Sequence, residues 1–232
     1  MEQALDAIRE TIRARSPLPA EETERIIAVR FDHLPRRLVA ARRRWPLGRS
    51  AVLDVGSSYG TCLIHFGPGS VGIENHDELV AFTRALDLET ILADVEDADA
   101  LASVPDGAFD YLWVSDVLEH LEAPRLALRR LVPKLKPGGS LLLQTSVLPR
   151  SRAARWALRR LGERPYDAEV HYHQWTIDTI RHLVARAGYR VVRVVPLLPA
   201  PVGVASRVFV DAVPDTALTE RADLAVGRNL RH

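Results

Sequence analysis

The sequence predicts an α/β fold built on a doubly wound, mostly parallel sheet, and three observations carry that prediction. From Ser50 onward, short apolar runs alternate with helical stretches, the pattern of strands joined by right-handed crossovers. The first run, Leu53-Asp54-Val55, breaks into the small-residue loop Gly56-Ser57-Ser58-Tyr59-Gly60, whose lack of bulk lets backbone N–H groups come close to a ligand. Three successive runs end in an acid, at Asp54, Glu74 and Asp94, and in open sheets ligands sit outside the carboxyl ends of the strands. A strand ending in glycines also makes an ordinary tight turn, so the loop takes its meaning from the motifs C-terminal to it.

The chain opens with apolar residues at helical spacing from Leu5 to Arg15 and from Glu21 to Arg44, separated by Pro17 and Pro19. This predicts a helical appendage over residues 1–48, ended by Pro46 and Gly48, and a sheet domain over 49–213. Seven strands are expected, at Ala51–Val55, Ser70–Glu74, Glu89–Ala93, Phe109–Ser115, Ser140–Ser146, Tyr189–Val195 and Val204–Val210. Helices are expected at His76–Leu86, Pro124–Leu135 and Thr176–Ala187, the last closed by Gly188. Behind the first loop, Thr61–Phe66 leaves room for little more than one turn before Gly67-Pro68-Gly69. Only Pro196 to Gly203 separates the last two strands, too short for a crossover helix, so they should pair antiparallel at one edge. Residues 146–175 read as an insertion that covers the substrate side, and 214–232, without periodicity, as a mobile tail.

Composition bounds the rest. A chain of 232 residues with 47% hydrophobic content has one substantial core and a small appendage. Its single cysteine, Cys62, excludes a disulfide framework and a cysteine-based zinc site, which fits a reducing cytoplasm. No apolar run reaches the ~20 residues of a membrane span, and the acidic start Met1-Glu2-Gln3-Ala4 is unlike a basic leader, so neither membrane insertion nor export is expected. Net charge is +1, with arginines grouped at Arg36-Arg37, Arg42-Arg43-Arg44-Arg49 and from Arg150 to Arg164. Without interleaved aromatics these read as solvated helix faces rather than a nucleic-acid surface, and a local preference for an anionic substrate stays open.

The strand-end acids suit a nucleotide-type ligand. A carboxylate at the second strand end, Glu74 with Asn75 beside it, faces the sugar of a nucleotide seated on the first loop and can accept from two ribose hydroxyls. Asp94 can accept from an exocyclic amine while Val95 offers its N–H to a ring nitrogen; alternatively, Asp94 caps a helix over Glu96–Leu101.

An ordered series of motifs then resembles the class I S-adenosylmethionine-dependent methyltransferases. It comprises Leu53 to Gly60, Val71-Gly72-Ile73-Glu74, Ala93-Asp94-Val95-Glu96, Asp106 to Tyr111, Val117-Leu118-Glu119-His120-Leu121 and Leu135-Lys136-Pro137-Gly138-Gly139, and spans about Ala51 to Val195. The resemblance implies strand order 3-2-1-4-5-7-6 with strand 7 antiparallel. It also implies S-adenosylmethionine as cofactor and S-adenosylhomocysteine as product, with Asp54, Gly56, Ser57, Ser58 and Gly60 around the amino-acid end. Glu74 would then face the ribose, Asp94 and Val95 the adenine, and Ser115 the methyl donor. Two departures stand out: Ser58 replaces the family's central glycine, and only 14 positions separate Gly60 from Glu74, so the first helix is cut short. A nicotinamide site is disfavoured because the loop lacks the third glycine of that fingerprint.

An activated sulfonium methyl asks the protein mainly for alignment and water exclusion, and a hydroxyl acceptor also needs a base. His120 is the first candidate, though a histidine there also serves as a helix cap. His171 and His173, alternating in an extended segment, can share one face as an acid–base or metal pair, or as two solvated side chains. Asp116, Glu119 and His120 have a spacing that could hold a divalent metal, a pattern similar to that of some quinone-pathway O-methyltransferases; no metal is assigned. The insertion brings Arg152, Arg155, Trp156, Arg159, Tyr166, Tyr172 and Trp175 to the substrate side. The expected activity is methyl transfer to a small-molecule hydroxyl. An amine acceptor and a regulatory, non-catalytic cofactor-binding protein are the alternatives, and the N-terminal helices could cover the site or pair two subunits into a homodimer.

Overall fold

The computed structural model describes residues 2–148, 151–153, 156, 160, 171–196 and 207–215. Seven strands are present: β1 (Val52–Val55), β2 (Val71–Glu74), β3 (Thr90–Leu92), β4 (Phe109–Ser115), β5 (Leu135–Ser146), β6 (Tyr189–Pro196) and β7 (Arg207–Pro214). They form one sheet in the order β3-β2-β1-β4-β5-β7-β6. β1 pairs in parallel with both β2 and β4, and β3 and β5 extend the parallel set. β7 runs antiparallel between β5 and β6, as the short connection requires. The order reverses between β1 and β4, which is where an open sheet forms its crevice.

Both faces of the sheet are covered, so β1 and β2 are buried at all four positions. Period-2 alternation sorts the side chains. Leu53, Val55, Leu112, Val114, Leu141 and Leu143 point to the face under α6 (Pro124–Leu131) and α7 (Ile177–Arg186), packing with Leu128, Leu131, Ile180 and Val184. Val52, Trp113, Leu142 and Phe209 point the other way and meet Leu38, Ala41 and Trp45. Trp113 and Phe209 are 5.5 Å apart between ring centroids, a tilted contact within the favoured range.

The N-terminal segment supplies that second cover. It consists of α1 (Glu2–Arg15), α2 (Ala20–Ile26), a π-turn over Ile27–Phe31 and α3 (Arg36–Arg42). After the β1 loop the chain manages only a 3-10 turn at Leu63–His65, the abbreviated helix that the sequence implied. α3 packs over Val52, Cys62 and Trp113 on this face. Ile12, Ile26, Ile27 and Phe31 form a separate cluster with Phe82 and Leu86 at the end of α4 (Asp77–Ala85).

Several boundaries differ from expectation. The long helix expected over 21–44 is broken, because Pro35 lacks an N–H and restricts Leu34; α3 starts after Pro35 as its N-cap. The helix expected to reach Leu135 ends at Leu131, and Pro133 allows only a 3-10 turn over Val132–Lys134. Leu135 instead begins β5 opposite Phe109, with a register shift before Tyr111 pairs with Ser140. α7 is bounded as expected, by Thr176 in a reciprocal capping box with Thr179 and by Gly188 at φ +100°. Among the described residues no helix is long and apolar enough to cross a membrane. The last strand, expected over Val204–Val210, lies at Arg207–Pro214 and takes in the first residue of the tail expected over 214–232, of which 216–232 lie outside the described residues.

Candidate functional site

The β1 loop turns by alternating left-handed residues: Gly56 at φ +70°, Ser58 at +52° and Gly60 at +74°. Gly56 and Ser57 donate their N–H groups to the Ile73 carbonyl at 2.9 and 3.0 Å, fixing the loop against β2. A side chain at Gly56 would bring its Cβ within 2.8 Å of Val117 Cγ2, so this floor position must be glycine. Ser58 sits in a conformation that costs a non-glycine residue about 1–2 kcal/mol. Its N–H is held there by Glu74 Oε2 at 2.8 Å.

Beyond the loop, a cleft of about 790 Å³ opens over the carboxyl ends of β1 to β4. Gly56, Glu74, Asn75, Asp94, Val95 and His120 line it, together with Glu96, Asp116 and the Leu121–Ala123 segment. Of the other predicted residues, Ser57, Ser58 and Gly60 of the loop, Asp54 in β1 and Ser115 at the end of β4 are not on the cleft wall. The Ser115 hydroxyl donates to Gln144 Oε1 at 2.6 Å. Asp116, one residue on, turns into the cleft through a left-handed backbone at φ +54°.

Glu74 is buried and already has four donors. Oε2 accepts from Ser58 N–H, while Oε1 accepts from the N–H groups of Asn75 at 3.0 Å and His76 at 3.2 Å and contacts His76 Nδ1 at 2.9 Å. A carboxylate has about four acceptor positions, two on each oxygen, so Oε1 is crowded while Oε2 keeps one position open. The His76 side chain is 70% exposed and is the one free to swing away. Asp94 is exposed and accepts from Glu96 N–H at 2.8 Å. The cap of the next helix, α5 (Ala98–Leu101), is Asp97 instead.

Sequence reasoning placed Arg37 among solvated arginines, but α3 carries it to the back of the loop. Its Nη1 lies 3.7 Å from Asp116 Oδ2, and Asp116 Oδ1 accepts from Gln144 Nε2 at 3.0 Å. Arg37 Nε and Asp54 Oδ2 are both buried without a hydrogen-bond partner. Burial pushes the Asp54 carboxyl from 3.8 up to about 7, with Arg37 pulling against that rise and Glu74 adding to it. Burial likewise pushes the neighbouring Cys62 thiol up to about 12, which leaves it unreactive. Nothing in the local sequence separates Arg37 from its neighbours except its place beside Leu38, the first fully buried residue of α3.

On the opposite wall, His120 ends a 3-10 turn over Leu118–His120. Its ring meets that of His171 edge-on, with centroids 4.8 Å apart. The segment carrying His171 is anchored by Tyr172 N–H and His173 N–H, which donate to the Glu119 carbonyl at 2.8 and 3.3 Å. The pairing expected of His171 with His173 is not formed: His173 stacks on Trp175 at 5.1 Å while His171 turns to His120. Glu119 is buried, accepts from Thr145 Oγ1 at 3.2 Å, and is pushed above the usual carboxylate range by that burial. Asp116, Glu119 and His120 thus face different partners, and among the described residues no group of three or more His, Cys, Asp or Glu could hold a metal ion. Arg155, Arg159 and Tyr166 lie outside the described residues.

Residues 23–194 match the family model described as a methyltransferase domain. Among curated proteins, the ubiquinone biosynthesis O-methyltransferase of Xanthomonas euvesicatoria pv. vesicatoria (strain 85-10) is 34% identical over 134 residues, 55% of this chain and 55% of that protein. Its counterpart in Xanthomonas campestris pv. campestris (strain B100) is 34% identical over 150 residues, 62% of this chain and 59% of its own length. The chain thus spans less than two thirds of the curated relatives it matches. Among solved structures, an S-adenosylmethionine-dependent methyltransferase of Thermotoga maritima superposes with a TM-score of 0.61 at 16% identity, covering 84% of this chain and 95% of that one. One from Mesorhizobium loti gives a TM-score of 0.56 at 17% identity over 75% and 95%. These structural likenesses establish the fold.

Proposed function

The chain belongs to the methyltransferase domain family, and from that premise we propose that it transfers a methyl group from S-adenosylmethionine to the hydroxyl of a small molecule. The observation that carries the reading is the cleft itself: Glu74 and Asp94 on one wall face His120 on the other, over the point where strand order reverses. The relatives named O-methyltransferases favour oxygen over nitrogen as the acceptor atom.

The residues fit such a cofactor. Gly56 leaves the cleft floor bare. Arg37, one third exposed beside Asp116, suits a carboxylate, and Asp116 suits an ammonium group; the charge of the buried Asp54 acts on Arg37 from behind. Glu74 takes the ribose hydroxyls once the His76 ring gives way, and Asp94 with Val95 reads the adenine. When bound, the sulfonium supplies a methyl group that is already activated. The protein's own work is alignment and exclusion of water, together with removal of one proton. His120 accepts the proton from the acceptor hydroxyl as the oxygen–methyl bond forms and the sulfur–methyl bond breaks. His171 orients the His120 ring from its edge.

Calorimetry with S-adenosylmethionine and S-adenosylhomocysteine, using NAD as control, tests the first half: micromolar binding of the first two is expected, and none would sink the reading. Turnover against a panel of small hydroxyl compounds tests the second. His120→Ala should then cost roughly 10²–10⁴-fold in kcat, the usual contribution of a positioned base. Cofactor binding without turnover on any hydroxyl or amine would assign the chain instead to a regulatory, non-catalytic role.

A further inference from the structure

Glu96 stands on the cleft wall that continues from β3, and its carboxylate reaches across to the other wall. Oε2 accepts the N–H of Glu122 at 3.0 Å and Oε1 that of Ala123 at 2.5 Å. These donors are the N′ and N-cap residues of α6, whose N-cap Ala123 makes no side-chain cap of its own, so Glu96 fixes the entry of the chain into the helix. Arg130 in α6 returns the tie by donating from Nη1 to the Glu96 carbonyl oxygen. Asp94 Oδ1 accepts the Glu96 N–H and fixes its direction.

A plain helix cap would account for the two carboxylate bonds alone. The tie also joins two stretches that line the same cleft: Ala93–Glu96 on one side, and Asp116 to Ala123 with His120 on the other. We propose that Glu96 is a positioning residue, a latch through which filling the nucleoside end of the cleft fixes the segment that carries His120. The latch rests on the reading of the cleft as a cofactor site.

Hydrogen exchange over residues 117–121, with and without S-adenosylhomocysteine, tests it in the wild-type chain, Glu96→Gln and Glu96→Ala. In the wild type the ligand should slow exchange of these amides roughly tenfold. In Glu96→Ala that slowing should disappear while the ligand still binds, with its Kd raised roughly tenfold, as loss of bonds to a charged acceptor predicts. Glu96→Gln keeps one acceptor oxygen and should fall between. Wild-type protection in Glu96→Ala overturns the latch, and so does faster exchange that spreads equally through β1 and β4. If S-adenosylhomocysteine does not bind the wild type, the cofactor reading fails. The latch is then judged on ligand-free exchange, where Glu96→Ala must accelerate 117–123 alone.

Discussion

Replacing Asp54 by asparagine should stabilise this protein at neutral pH and weaken its hold on the cofactor. The carboxyl is 3% exposed, with one oxygen unpartnered, and burial raises its pKa from 3.8 to about 7. Below about pH 4 the folded and unfolded chains both hold this proton and Asp54 contributes nothing. Between about 4 and about 7 the folded chain keeps a proton that the unfolded chain gives up, so stability falls as pH rises; above about 7 the loss is complete and constant. At about 1.4 kcal/mol for each tenfold in proton affinity, the upper bound of that loss is about 4 kcal/mol. Asparagine keeps the shape and carries no charge, so it removes the loss. At about 2–4 °C per kcal/mol for a chain of this size, Asp54→Asn should melt several degrees above the wild type at pH 8 and level with it near pH 4. Glu119 and Asp211 are also raised by burial, so the wild-type melting curve mixes several groups and only the difference between variant and wild type isolates Asp54. Thermal unfolding across pH 4–8 measures that difference, and calorimetry with S-adenosylhomocysteine should show weaker binding by roughly fivefold to tenfold as Arg37 loses its anchor. A melting difference independent of pH, or a less stable variant at pH 8, refutes the assignment of the raised carboxyl to Asp54.

Ser58→Gly relieves a left-handed residue but frees the unfolded chain, so a net gain of up to about 1 kcal/mol is expected in denaturant melts; a loss would mean that the serine side chain itself holds the loop. His76→Ala vacates one acceptor position on Glu74 and should tighten S-adenosylhomocysteine binding up to about fivefold, whereas weaker binding would make His76 a direct contact. Removal of residues 1–48 uncovers Val52, Trp113, Leu142 and Phe209 and takes Arg37 from Asp54. The remainder should therefore fail to give a cooperative melt or to bind S-adenosylhomocysteine, and a folded, binding-competent fragment would contradict the role given to α3.

The sheet was readable because its cause is local: a strand buried on both faces must be an apolar run, and too short a connection before the last strand forbids a parallel crossover. The same holds for Gly56, Glu74, Asp94 and Val95, which the strand ends carry to the cleft wherever the helices pack. Asp116 was singled out only as part of a possible metal group and Arg37 only as one of several solvated arginines; the places they take were not readable, for two different reasons. Asp116 enters the cleft only because its backbone adopts φ +54°, held by Gln144 from β5, a bond between residues 28 apart that no local pattern announces. Arg37 depends on which helix covers the sheet. The shortened first helix could be counted from the sequence, but not that α3 would pack over Val52, Cys62 and Trp113 and so set the Arg37 guanidinium beside Asp116. The N-terminal segment therefore brings a guanidinium to the edge of the site, beside Asp116, as well as covering the sheet.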